Sequence, residues 1–203
     1  MLIEINPDHP QPRRIEQVVQ AIVDGGVVAY PTDTVYGLGC DIFNKKAIKR
    51  VAQITGLPAS KTFSFICPGL KELSRYAQVT NYGYKTLKRL LPGPYTFILK
   101  GSRQVPKMML TRRKTAGIRV PDHAICLAIV SRLGHPIIST SAKDAEGNPF
   151  RHGWEIEEAL GNRLSLVVDG GPVPGRLSSV VSLVDDIPEV LRVGAGEVDE
   201  FLS

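Results

Sequence analysis

Apolar and polar positions along the chain follow two periods, one typical of helices and one typical of strands. Within residues 15–23 the apolar positions recur every three or four residues, which predicts an amphipathic helix that ends at Gly25-Gly26. The β-branched run at 27–30, stopped by Pro31, predicts a buried strand. Further helices are predicted over 45–54, 81–91 and 124–133. Further strands are predicted over 63–67, 95–99, 117–120, 136–138, 164–168, 179–183 and 190–193.

The order of these elements indicates the fold class. Helices and strands alternate through most of the chain, but the last strands follow one another without helices between them. Such an order predicts an α/β fold with a twisted, open sheet of mixed parallel and antiparallel strands and flanking helices. The sequence has no internal repeat, low-complexity tract or linker, so residues 1–203 are expected to form a single domain.

Composition narrows the class of protein. The 203 residues are 43% hydrophobic and 22% charged, a balance typical of globular proteins. No apolar run is long enough to cross a bilayer and the N-terminus lacks a signal-peptide pattern, so we expect a cytoplasmic protein without a membrane partner. Cys40, Cys67 and Cys126 are odd in number and widely spaced, and the four histidines are scattered. Three buried free thiols and no protein-built metal site are therefore expected.

Charge is distributed unevenly along the chain. The net charge is +5, yet no Asp or Glu occurs between Leu73 and Pro121, whereas the segment after Asp185 is rich in acids. An acid-free basic segment attracts polyanions, although it can also be a solvated basic face, and charge alone does not distinguish ATP from RNA. The candidate RNA-binding residues of this segment are Lys85, Lys88, Arg89, Arg103, Lys107, Arg112, Arg113 and Lys114.

Polar segments stand where predicted strands end or begin, the usual place for ligand sites in open α/β sheets. Thr32 and Thr34 follow the strand at 27–30, and hydroxyl-rich segments occur at 138–142 and 178–182. Arg119 and Arg192 each lie within an apolar run. An arginine in such a place needs an anionic partner, which either a carboxylate of the fold or a bound ligand can supply. Each segment alone also has a purely structural explanation.

The joint order of the segments resembles the YrdC/YciO family over nearly the whole chain, from about Ile15 to Val198. The matching motifs are Pro31-Thr-Asp-Thr-Val-Tyr-Gly-Leu38, Leu91-Pro-Gly-Pro-Tyr-Thr-Phe97, Gly117-Ile-Arg-Val-Pro121, Ser139-Thr-Ser-Ala142 and Leu191-Arg-Val-Gly194. The amino-acid sequences of residues 95–101 and of Val105-Pro106 are most similar to those of the YciO branch. The resemblance implies a mixed sheet with a large basic concave face that binds double-stranded RNA or tRNA, or ATP.

The active members of that family are L-threonylcarbamoyladenylate synthases. They convert L-threonine, bicarbonate and ATP, which carries Mg²⁺ with it, into threonylcarbamoyl-AMP and pyrophosphate for the modification of adenosine 37 of tRNA. This reaction requires positioned anions and not a protein nucleophile. By resemblance, the threonine-binding residues are Thr32, Thr34, Arg119, Ser139 and Ser178. By resemblance, the ATP-binding residues are Thr115, Ser141 and Arg192. Lys61 is added to these candidates because it is a cation close in sequence to positions where synthases carry cations.

Two motifs depart from the synthase pattern. The Lys-x-Arg of synthases corresponds to Thr55-Gly-Leu57, and their Ser-x-Asn corresponds to Ser141-Ala-Lys143. Cys67 stands where synthases often have a histidine. Three hypotheses remain at this point: a slow synthase, a non-catalytic double-stranded RNA- or tRNA-binding paralogue, and an enzyme that handles an acyl- or carbamoyl-phosphate with another small substrate.

Overall fold

Eleven strands form one hydrogen-bonded sheet within residues 1–57 and 63–202, which the computed structural model describes. The strands are β1 (Leu2–Glu4), β2 (Val28–Tyr30), β3 (Gly37–Asp41), β4 (Ser64–Ile66), β5 (Ala77–Gln78), β6 (Tyr95–Gly101), β7 (Thr115–Arg119), β8 (Ile137–Ser141), β9 (Leu166–Asp169), β10 (Ser179–Ser182) and β11 (Glu189–Arg192). The α-helices are α1 (Pro12–Val23), α2 (Lys45–Thr55), α3 (Leu70–Tyr76), α4 (Asn81–Leu90), α5 (Ala124–Leu133) and α6 (Gly153–Leu160).

The strand order is β1-β9-β2-β3-β8-β4-β7-β6-β10-β11, and β5 pairs with β6. The pairs β1/β9, β9/β2, β4/β7 and β6/β10 are parallel, and the remaining pairs of this sheet are antiparallel. The sheet is therefore open, with β1 and β11 at its edges, and mixes the two directions. This confirms the fold class predicted from the order of the elements.

Each face of the sheet has its own apolar core, because successive side chains of a strand point to opposite faces. In β9, Leu166 and Val168 pack in a cluster with residues of α1 and α5. Val167 between them belongs to the second cluster, which contains the apolar residues of α2, α3, α4 and α6. Helices therefore flank the sheet on both sides, as predicted.

The face that carries α1 and α5 changes from apolar to polar along its central strands. In β8, Ile137 belongs to the core with α1 and α5, and Ser139 and Ser141 follow at intervals of two. In β4, Ser64 lies opposite both Ser139 and Gly117. A Cβ on Gly117 would approach the Ser64 Oγ to 3.1 Å, so the glycine leaves this part of the face open. The register thus gathers hydroxyl groups beyond the end of the apolar core.

Most predicted helices and strands are confirmed within a few residues. The structure adds elements that the sequence patterns did not predict, namely β1, β3, β5, α3 and α6, and it lengthens β8. No strand is predicted from the sequence between Pro31 and Lys45, whereas Gly37–Asp41 forms the strand β3 between β2 and β8. Cβ atoms on Gly37 and Gly39 would lie about 3 Å from the ring of Tyr30, so the glycines make room for this buried side chain. Ser139–Ser141 was expected to follow a strand and instead continues β8.

The three cysteines are buried and free, as predicted. Burial raises the pKa of the Cys67 thiol and of the Cys126 thiol to about 12. These thiols therefore stay protonated at neutral pH and act as small apolar side chains. No helix among the described residues combines the length and the apolar character that a membrane crossing requires.

Candidate functional site

A cleft of about 640 Å³ opens where β3 begins and β8 ends. Its described lining contains four basic side chains and one acidic side chain, Asp144. The basic residues are Arg119, Lys143, Arg163 and Arg192. Several hydroxyl groups line it as well, among them those of Ser64, Thr96, Ser139, Ser141 and Ser178. A cleft with this excess of positive charge and of hydrogen-bond donors is suited to an anionic ligand.

Arg119, the last residue of β7, is buried and forms an ion pair inside the protein. Its Nη2 donates to Asp33 Oδ1 at 2.9 Å, and the two side chains are only 9% and 10% exposed. Asp33 also accepts a hydrogen bond from the backbone N–H of Asp122 at 3.2 Å. The buried Nε of Arg119 has no hydrogen-bond partner among the described residues. The carboxylate of the fold thus satisfies only part of this guanidinium, and its remaining donors are available to a ligand in the cleft.

Thr32 and Thr34 lie beneath Arg119 and are fully buried. The Thr34 Oγ1 accepts a hydrogen bond from Arg119 Nη2 at 3.0 Å. The Thr32 Oγ1 donates to the carbonyl of Val35 at 2.6 Å and lies 3.0 Å from the Thr34 Oγ1. Neither residue is part of the cleft lining. The arrangement supports the guanidinium, so these threonines can influence a ligand through the position of Arg119.

Arg192 approaches the cleft from the edge strand β11. Its Nε donates to the carbonyl of Ser178 at 2.9 Å, and its Nη2 donates to the Ser178 Oγ at 3.1 Å. The Ser178 Oγ in turn lies 2.9 Å from the Thr96 Oγ1. Partial burial, and secondarily the positive charge of Arg119, lower the pKa of Arg192 from its ordinary value. Two guanidinium groups therefore repel one another in this cleft, and an anion would relieve that repulsion.

Ser139 has a defined hydrogen-bond role at the base of the cleft. The hydroxyl of Tyr30 donates to the Ser139 Oγ at 2.7 Å. Burial raises the pKa of Tyr30 well above its usual value, so this phenol remains a donor at neutral pH. The hydroxyl hydrogen of Ser139 is consequently free to donate elsewhere, and the cleft is the open side.

The residues at the synthase Lys-x-Arg and Ser-x-Asn positions also line the cleft. Thr55 and Leu57 stand at the C-terminal end of α2, and Lys143 comes two residues after Ser141, the last residue of β8. Thr55, Leu57 and Lys143 therefore line one cleft. Lys61 lies outside the described residues. Thr115 is buried, bonds with the Thr111 Oγ1 at 2.7 Å and is not part of the cleft lining.

The basic candidates for RNA binding fall into two groups. Four of them, Arg103, Lys107, Arg112 and Lys114, line a second groove of about 690 Å³, and Arg113 is exposed between the last two. Lys85, Lys88 and Arg89 are exposed on α4 and do not line this groove. Arg89 forms an ion pair with Glu200. The groove is therefore the place where the structure concentrates these cations.

Sequence reasoning did not single out Asp33, Ser64, Thr96 or Arg163. The sequence does contain a signal for Asp33 as a partner of a buried cation. This carboxylate stands between Thr32 and Thr34, close to the end of a predicted strand. Ser64 and Thr96 reach the cleft through strand register, and Arg163 reaches it through the packing of residues far apart in sequence. No local pattern marks these three residues.

Comparisons with known proteins agree with the fold and the motifs. The Sua5/YciO/YrdC family model, described as "Telomere recombination", matches residues 20–194. The uncharacterized protein YciO of Escherichia coli (strain K12) is 42% identical over 201 residues, which cover 98% of this chain and 97% of YciO. A threonylcarbamoyl-AMP synthase of Vibrio vulnificus (strain YJ016) is 33% identical over 159 residues, which cover 77% of this chain and 86% of the synthase.

Two solved structures share the architecture. The crystal structure of E. coli YciO has a TM-score of 0.94 and 40% identity, with 99% of this chain and 98% of that chain covered. The structure of P. abyssi Sua5 complexed with L-threonine has a TM-score of 0.92 and 27% identity, and the similarity covers 98% of this chain. The chain spans 59% of the length of that Sua5 protein. The identity to YciO is higher than that to the Vibrio vulnificus synthase or to P. abyssi Sua5, as the sequence of residues 95–101 predicts.

Proposed function

We propose that the cleft of this chain, which belongs to the Sua5/YciO/YrdC family, binds L-threonine and ATP and supports slow formation of threonylcarbamoyl-AMP. The observation that carries this proposal is the position of Arg119 and Arg192 in one hydroxyl-lined cleft of about 640 Å³. Two guanidinium groups with free donors favour ligands that carry carboxylate or phosphate groups. The similarity to synthases and to a Sua5 structure that contains L-threonine makes these two substrates the first candidates.

The threonine side of the cleft is built from Arg119, Ser139 and Ser178. In this proposal the guanidinium of Arg119 binds the carboxylate of L-threonine, and the two serine hydroxyls bind its polar groups. Asp33 and the buried hydroxyl of Thr34 hold that guanidinium in place through bonds of 2.9 and 3.0 Å. Thr32 stabilises Thr34 and thus acts one step further from the ligand.

The nucleotide side consists of Arg192 and Ser141, and the Mg²⁺ ion enters with ATP. The carbamate formed from the threonine amine and bicarbonate, with loss of water, attacks the α-phosphorus, and pyrophosphate leaves. Arg192 is suited to neutralise charge on the phosphates, because its guanidinium lines the cleft while neutral groups of Ser178 orient it. The protein supplies position and charge, and no side chain acts as a nucleophile.

This cleft lacks positive charge at the two positions where synthases have cations. Thr55 and Leu57 line the cleft without charge. The C-terminal end of α2, at these positions, presents partial negative charge to a polyphosphate. Lys143 offers an ammonium group where synthases have an amide. Charge that rises on the leaving pyrophosphate is therefore stabilised less well than in the synthases, which makes the reaction slow.

We expect the triple change Thr55→Lys, Leu57→Arg, Lys143→Asn to raise the rate of pyrophosphate release at least about tenfold, which requires only ~1.4 kcal/mol of transition-state stabilisation. The assay measures pyrophosphate from ATP in the presence of L-threonine and bicarbonate, and chromatography identifies threonylcarbamoyl-AMP. The matched control is Thr55→Gln, Leu57→Gln, Lys143→Asn, which has long polar side chains without the new charges.

Three results distinguish the hypotheses. A slow wild type that only the charged variant accelerates supports the proposal. A wild type as fast as the Vibrio vulnificus synthase shows that the charge at these two positions is not limiting. A wild type and a folded charged variant that both release no threonine-dependent pyrophosphate contradict synthase function and favour a different small substrate.

A second candidate function is the binding of double-stranded RNA or tRNA along the groove lined by Arg103, Lys107, Arg112 and Lys114. The specific observation is that these cations share a groove of about 690 Å³ within the segment that contains no acid from Leu73 to Pro121. Phosphate contacts of this kind bind nucleic acid with little sequence preference. Two other cations of the segment, Arg89 and Lys100, form ion pairs with acids of the C-terminal segment, so we place the interaction at the groove.

A further inference from the structure

Arg163 is held in the cleft by a pair of reciprocal hydrogen bonds. It ends the short 3-10 turn Gly161–Arg163 that follows α6. Its Nη2 donates to the carbonyl of Gln53 at 2.9 Å, and the Nη2 of Arg50 donates to the carbonyl of Arg163 at 2.8 Å. These bonds join two segments that are about 110 residues apart in sequence. The first bond attaches the guanidinium of Arg163 to the last turn of α2, and the second attaches its backbone to the same helix.

The position of Arg163 changes the electrostatics of this wall. The last carbonyls of α2 have no partners within the helix, and their partial negative charge opposes the binding of a polyphosphate. The helix ends at Thr55, and Gly56 has the left-handed conformation with a φ of 62°. Arg163 covers one of these carbonyls and adds a full positive charge to the wall that also contains Thr55 and Leu57.

The guanidinium of Arg163 also retains donors for a ligand. A guanidinium has five N–H groups, and the bond to Gln53 uses one of them. The side chain is exposed and lines the cleft, while no carboxylate pairs with it among the described residues. Its hydrogen-bond partner is a neutral carbonyl, so its charge is not compensated. Arg50, by contrast, does not line the cleft.

We propose that Arg163 is a specificity-determining residue that binds the β- and γ-phosphates of ATP. From the turn that follows α6, it supplies one positive charge to the wall at which Thr55 and Leu57 carry none. The inference rests on the proposed function, since it assigns a contact to the nucleotide in the same cleft. Its consequence is a preference for the triphosphate over the monophosphate, because AMP has no phosphate groups that extend to this wall.

The test is calorimetric titration of the full chain with Mg·ATP and with AMP. We expect Arg163→Gln, which keeps a donor for the Gln53 carbonyl and removes the charge, to weaken ATP binding about tenfold and AMP binding less than twofold. Arg50→Gln is the matched control, because it removes the reciprocal bond and leaves the charge of Arg163 in place. This control should change the ratio of the two affinities less than twofold, while circular dichroism verifies folding of each variant.

The ratio of the ATP and AMP affinities decides the outcome, because a merely structural role of Arg163 would not alter it. Affinities for ATP and AMP that both stay unchanged in Arg163→Gln overturn the inference and leave the proposed nucleotide binding intact. Equal loss of both affinities also overturns it and assigns Arg163 a structural role. A wild type that binds neither nucleotide overturns the proposed function, and with it the assignment of Arg163.

Discussion

Replacement of Asp33 by alanine is expected to lower the free energy of unfolding by about 3–5 kcal/mol, the usual cost of removing one partner of a buried ion pair. Arg119 and Asp33 are 9% and 10% exposed and lie 2.9 Å apart. Without the carboxylate, the guanidinium would stay buried with Thr34 as its remaining partner in this contact. The Nε of Arg119 is already buried without a partner among the described residues, so the loss of Asp33 would leave this guanidinium with still fewer hydrogen bonds.

Urea denaturation followed by circular dichroism measures this effect. The matched control, Asp33→Asn, keeps the shape and an acceptor oxygen, so we expect it to be less destabilising than Asp33→Ala. The double variant Asp33→Ala, Arg119→Ala removes both charges and should be less destabilised than the sum of the two single variants. A loss below about 1 kcal/mol in Asp33→Ala would contradict the assignment of the pair as a buried one.

Charge reversal in the basic groove is expected to weaken RNA binding at least about 100-fold at physiological salt. The variant is Arg112→Glu, Arg113→Glu, Lys114→Glu, in which two of the changed residues line the groove and the third is exposed beside them. Because the contacts are to phosphates, affinities for unrelated duplex sequences should fall alike. The slope of the logarithm of affinity against the logarithm of salt concentration should decrease by about three.

Fluorescence anisotropy with short RNA duplexes at several salt concentrations provides the measurement. The control is Lys45→Glu, Lys46→Glu, Lys49→Glu, which changes the same number of exposed charges on α2, away from the groove. Both variants take the net charge from +5 to 5 − 6 = −1. Wild-type affinity that does not depend on salt, or equal loss in the two variants, would contradict RNA binding at the groove.

The sequence predicted the elements that have a clear period and missed those that depend on long-range packing. The helices α1, α2, α4 and α5 are predicted well because apolar side chains recur on one face of each. The strand β3 was missed because Gly37 and Gly39 indicate a turn by local propensity. In the sheet these glycines accommodate the Tyr30 ring, a contact that no local pattern reveals.

The candidate site was also predicted only in part, because long-range contacts decide which of its polar groups meet. An arginine in an apolar strand needs an anion, and the sequence left open whether the fold or a ligand supplies it. For Arg119 the structure shows that Asp33 of the fold is one partner, while Nε remains without a partner among the described residues. Arg192 lies in an edge strand that is largely exposed, so its environment is more open than the apolar run suggests. Register and long-range contacts decide which polar groups meet, and single-sequence patterns do not contain them.

The most direct test of the central claim is a crystal structure of the wild type soaked with L-threonine and Mg·ATP. Both ligands should occupy the cleft between β3, β8 and the end of α2. The threonine carboxylate should lie within hydrogen-bond distance of Arg119, and phosphate oxygens should lie within that distance of Arg192. A cleft that stays empty at saturating ligand concentration, or ligands bound only at the basic groove, would contradict the binding of L-threonine and ATP in this cleft.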